Sequence, residues 1–107
     1  MIADKDLKIC RELKDRLSRE VNLLDIRIFG SRARGDNDPD SDLDVFIEVD
    51  RLTREAKEKI QYVAWEVGID NGCIFISPLI FDKKELTESP MRSSWIVENI
   101  YREGIPV

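Results

Sequence analysis

Apolar residues recur at Leu7, Cys10, Leu13 and Leu17 within an otherwise charged segment, the one-sided stripe of an amphipathic helix over 4–20. The period then changes. VNLLDIRIF (21–29) is rich in branched residues and sets Ile26 and Ile28 against Arg27, which predicts a strand. Gly30 ends that strand, and Ser31 to Gly35 suit one short helical turn. DNDPDS (36–41) is loop by composition, because Asn, Asp, Pro and Ser bend the backbone and satisfy it locally. DLDVFIEV (42–49) alternates again as a second strand, with Asp42 and Asp44 on one face and Glu48 further along it.

A second helical stripe, Ala56, Ile60, Val63, Ala64 and Val67, predicts a helix that starts from Asp50 as N-cap and runs to about Val67. Gly68, Asn71 and Gly72 mark a turn. CIFISPLIF (73–81) reads as a third strand, and Pro78, which cannot donate to a ladder, implies that it lies at an edge or is locally broken there. Ser89-Pro90 reads as the N-cap and first residue of a last helix carrying Ile96, Val97 and Ile100, closed by Gly104 and Pro106. The order α-β-turn-β-α-β-α predicts an α+β fold in a single domain over 1–107, a small mixed β-sheet with helices packed on it.

Charge and composition narrow the chemistry. A net charge of −5 disfavours a module that grips long nucleic acid by neutralising phosphates, while a small nucleotide carried with its own magnesium remains compatible. No apolar run approaches the ~18 residues of a membrane span, and the N-terminus lacks the apolar core of a signal peptide, so a cytoplasmic protein is expected. Cys10 and Cys73 both lie in segments that read as core-facing, and both are expected to be buried and reduced. The chain has no histidine, which removes His-based zinc sites, Ser-His-Asp triads and imidazole acid–base chemistry together. Carboxylates, hydroxyls, backbone N–H groups and a metal are what remain.

The stretch FGSRARGDNDPDSDLDVFIEVD (29–50) concentrates that chemistry, with seven carboxylates between Asp36 and Asp50. An EF-hand frame from Asp36 fails, because Ser41 stands where glycine is needed and Ile47 where a bidentate Glu is needed. A solvated loop accounts for Asp36, Asp38 and Asp40. Asp42 and Asp44 call for more. Gly30 after a strand lets backbone approach an anion, Ser31 adds a hydroxyl, and the N–H groups of the next turn point the same way. Two carboxylates at i and i+2 on a neighbouring strand suit one or two Mg²⁺ ions, which would neutralise a nucleoside triphosphate for displacement at phosphorus.

Gly30-Ser31, ten intervening residues and Asp42-Leu43-Asp44 resemble the GS-x10-DxD pattern of the DNA polymerase β-like nucleotidyltransferase superfamily. GSRARGDNDPDSDLDVFIEV is similar in particular to the minimal nucleotidyltransferases of the MNT type, and the similarity extends over nearly the whole chain. The resemblance implies the polymerase β palm-like fold, with triphosphate contacts from Gly30 and Ser31 and Mg²⁺ held by Asp42 and Asp44. It places Arg32 and Arg34 within reach of phosphate, with a salt bridge to the acidic loop as the alternative for Arg34. The family's third carboxylate belongs on the next strand, which has no acid here; Asp70, Asp82 and Glu48 are the substitutes in the chain. MNT-type proteins are commonly antitoxins paired with a HEPN-type helical toxin, and a homodimer is compatible with the pattern. Two classes of function follow: an enzyme moving AMP from Mg-ATP to a hydroxyl, such as a tyrosine of a HEPN-type partner, or an antitoxin that neutralises its partner by contact alone.

Overall fold

Both faces of one strand are apolar, and that decides the architecture. In β2 (Leu43–Val49), Leu43, Val45, Ile47 and Val49 point one way and Phe46 the other, and all five are buried. A strand buried on both sides needs cover on both sides. The computed structural model describes residues 2–88, 90 and 94–107. Among these, β2 is central in a four-stranded sheet ordered β3 (Ile76–Asp82), β2, β1 (Leu23–Phe29), β4 (Ile105–Pro106). β1 runs antiparallel to β2 and to β4, whereas β2 and β3 are parallel. A parallel pair requires a crossover, which α3 (Arg54–Asp70) supplies.

α3 and α1 (Asp4–Glu20) cover one face, burying Cys10, Leu13, Leu17, Ile60, Ala64 and Val67 against Val45 and Ile47. The other face carries a smaller cluster, in which Val97 and Ile100 of α5 (Trp95–Glu103) and Leu86 of α4 (Lys83–Glu88) meet Phe46 and Phe81. Phe46 lies 5.8 Å from Phe81 and 5.5 Å, edge-on, from Tyr101, centroid to centroid. The Arg27 guanidinium closes the stack 5.0 Å above Tyr101. Between β1 and β2 lies α2 (Gly30–Arg34), the expected short turn, begun one residue earlier. No helix among the described residues is long and apolar enough to cross a membrane.

Several expected boundaries move, each for a local reason. Val21 caps α1 by donating to Leu17, so β1 starts at Leu23 rather than Val21. Asp42 lies just outside β2. The N-cap of α3 is Thr53, whose hydroxyl accepts from Ala56 N at 3.1 Å, and not Asp50, whose N–H is committed to Asn22 O across the strand ends. Gly68 sits inside α3, where a Cβ would come within 2.2 Å of the Ile74 carbonyl oxygen. Residues 73–75 precede β3 rather than belonging to it, and Cys73 is exposed with φ 61°, so the expectation of two buried thiols holds only for Cys10. Pro78 is on an edge strand, as expected. Of the Ser89-Pro90 pair, Ser89 lies outside the described residues; α5 begins at Trp95, with the Ser94 hydroxyl accepting from Val97 N. Ile96 faces solvent instead of the core.

The two cysteines should therefore behave differently. Burial, with the Asp6 carboxylate adding to it, pushes the Cys10 thiol up to about 12. Titration of the native protein with an aromatic disulfide at pH 8 should modify Cys73 alone, with Cys10 reacting only on denaturation. Two fast thiols would contradict this packing.

Candidate active site

Where β1 ends, the backbone turns through Gly30 at φ 76°, a left-handed conformation that only glycine adopts without strain. A Cβ there would also stand 2.5 Å from Asp44 Oδ2. The Gly30 backbone and the Asp44 carboxylate are thus in contact, although 14 positions separate them in the chain. Sheet register explains the meeting: Asp44 pairs with Phe29, the residue before Gly30. On its other side Asp44 is level with Ser77 of β3. Asp42 is exposed, two positions back along the chain, and Ser31, the first residue after Gly30, is half-buried.

The carboxylates press on each other. Partial burial first, and then the charge of Asp42, hold the Asp44 carboxyl above its ordinary range, with Arg34 pulling it down. A carboxyl raised in this way, with a second carboxylate near it and backbone cleared of side chain beside it, fits a divalent cation. Mg²⁺ typically takes one or two protein carboxylates and completes its shell with substrate phosphates and water.

Among the described residues no group of three His, Cys, Asp or Glu is placed to hold a metal. The three acids considered as a third ligand are elsewhere. Asp70 is 3.0 Å from Arg16, tying α3 to α1. Asp82 accepts from Glu85 N and Leu52 N, while Glu85 accepts from Asp82 N, a reciprocal cap that starts α4. Glu48 is four positions along β2, ~13 Å from Asp44 and beyond Phe46. The strand position beside Asp44 carries a hydroxyl, Ser77.

The two arginines separate. Arg32 is buried: its Nη1 donates to both Asp6 oxygens at 3.0 and 3.2 Å, its Nε to Ser41 O and its Nη2 to Pro39 O. It pins the acidic loop onto α1 and so sets where Asp42 begins. The phosphate contact expected of it has no place in this arrangement, because the guanidinium is already occupied. Arg34 is exposed, 3.2 Å from Asp36, the salt bridge named as its alternative. Asp6 was missed in the sequence. With Asp4 it reads as an ordinary acidic first turn of a helix, and only its near-complete burial shows otherwise.

The chain is also similar to known proteins. The nucleotidyltransferase domain family matches residues 10–99. A Methanocaldococcus jannaschii protein named "Putative protein adenylyltransferase" is 42% identical over 72 residues. That match spans 66% of this chain and 66% of the relative, just under two thirds of its length. The crystal structure of a "putative nucleotidyltransferase" from Sulfolobus solfataricus superposes with a TM-score of 0.51 at 21% identity, covering 94% of this chain and 77% of that one. At that identity the likeness speaks for the fold.

Two outcomes are expected. Because the folded pKa of Asp44 lies above its unfolded value, the stability that this group contributes is present in acid and lost as pH rises through the raised value. In metal-free buffer at pH 7, Asp44→Asn should therefore leave Tm unchanged or raise it; a fall of several degrees would count against the repulsion. Arg32→Ala, by contrast, strands Asp6 and should cost about 3–5 kcal/mol in urea denaturation. Adding Asp6→Asn to that variant should recover part of the loss.

Proposed function

This chain belongs to the nucleotidyltransferase domain family, and on that footing we propose that it transfers AMP from Mg-ATP to a hydroxyl acceptor. The observation that carries the reading is the contact between Asp44 and the side-chain-free backbone of Gly30, with Asp42 two positions away. In the transfer, an acceptor oxygen bonds to the α-phosphorus, the bond from that phosphorus to the bridging oxygen breaks, and pyrophosphate leaves. The acceptor's proton passes to solvent or to a nearby base.

Each residue has a part that follows from its position. Gly30 admits phosphate oxygens to the main chain, and Ser31 offers a hydroxyl at the same turn. Asp42 and Asp44 are the residues that would hold Mg²⁺, whose charge would offset that of the phosphates. Arg34 sets positive charge near Asp44, and Arg32 keeps the loop before Asp42 in place from within. The resemblance points to a tyrosine of a HEPN-type partner as the acceptor, and the word "protein" in the relative's name fits a protein acceptor.

One observation favours the second reading, an antitoxin that binds its partner without turnover: beside Asp44 the third strand offers Ser77 and not an acid. The two readings separate experimentally. Calorimetry should show Mg²⁺-dependent ATP binding that Asp42→Asn/Asp44→Asn abolishes. Transfer of label from α-labelled ATP to a partner should fall roughly 100-fold or more in Asp44→Asn. Undiminished transfer in that variant would overturn the assignment, and partner binding without any label would establish the binding module.

A further inference from the structure

Beside the Gly30 turn, α2 and α5 enclose a cavity of about 200 Å³, walled by Phe29, Gly30, Ala33, Trp95, Ile96 and Asn99. Pockets for whole drug-sized ligands start at about 300 Å³, so this one has room for a single ring system and not for a nucleotide. Trp95 stands at its wall 73% exposed, and Ile96 beside it is 40% exposed. An indole face left open this way is the surface on which aromatic bases stack.

Asn99 shares the cavity's polar edge with Arg34 and Glu103. The Asn99 side-chain carbonyl accepts from Arg102, and an amide presents an acceptor with two lone pairs next to a donor. That pattern complements the amino group and adjacent ring nitrogen of adenine. Gly30, where the phosphates would approach, lines this same cavity.

Resting on the nucleotide-donor reading above, we propose that the cavity receives the adenine base of the donor, stacked on Trp95 and read at its edge by Asn99. Donor selectivity then resides in α5, an element that carries none of the Gly-Ser or Asp-x-Asp residues.

Calorimetric titration with Mg-ATP, Mg-CTP and Mg-tripolyphosphate tests this on the unsubstituted protein, Trp95→Ala, Trp95→Phe and Asn99→Ala. Trp95→Ala should weaken Mg-ATP roughly ten-fold or more while leaving tripolyphosphate unchanged, and Trp95→Phe should keep most of the affinity. Asn99→Ala should narrow the preference for ATP over CTP. In Trp65→Phe, where Trp95 is the remaining tryptophan, its fluorescence should change with ATP and not with tripolyphosphate. If the unsubstituted protein binds ATP and both alanine variants bind it equally well, the base lies elsewhere and the donor-site reading stands. If Trp95→Ala instead slows only transfer, the cavity serves the acceptor and the proposal falls. If neither ATP nor tripolyphosphate binds the unsubstituted protein, both readings fall.

Discussion

The buried pair of Arg32 and Asp6 is the constraint on which the site depends. A guanidinium cannot shed its charge, so burying it demands a partner for nearly every donor. Here one carboxylate and two backbone carbonyls meet that demand, and they come from places the fold must hold together: the first turn of α1 and the loop before β2. The loop is dense in like charges and has little apolar content of its own to anchor it. Without the clasp, Asp36, Asp38 and Asp40 would drive it outward, and Asp42 would go with it.

The sheet supplies the rest of the order. Its register sets Asp44 level with Phe29, so the first residue past β1 falls against the carboxylate. On the same face, one cross-strand step along, Arg27 pairs with Phe46 and stacks on Tyr101. The face thus passes from a packed aromatic cluster to an open polar end within two residues. Precision at that end is borrowed from the cluster: Asp44 sits on a strand that cannot shift without disturbing Phe46, which is fully buried.

The sequence made much of this readable. Helical stripes at Leu13 and Leu17, or at Ile60 and Ala64, survive because burial follows a fixed period. Asp44 stands out, with Asp42 just before it, because a carboxylate on a mostly apolar strand needs a reason. What could not be read depends on tertiary contact. Asp6 is indistinguishable from a solvent-facing first-turn acid until Arg32 is brought to it. Asp50 and Thr53 are both good caps, and the choice was made by a hydrogen bond from Asp50 N to Asn22 O, far back along the chain. Cys73 sits in an apolar run, yet a tight turn through Gly72 carries it outward. α4 is six residues long, too short to show a period.

The crowding of Gly30 against Asp44 has a consequence for how such a chain can change over time. Two independent demands hold position 30 to glycine, one steric and one torsional, and only the steric demand comes from the carboxylate. A descendant that exchanged Asp44 for a small neutral residue would release the first and keep the second. Its strand would still have to turn through φ 76°, and glycine would remain. The glycine at position 30 is therefore a record of how the backbone turns and would stay whether or not a reaction is served, whereas the carboxylate beside it has no structural reason to stay.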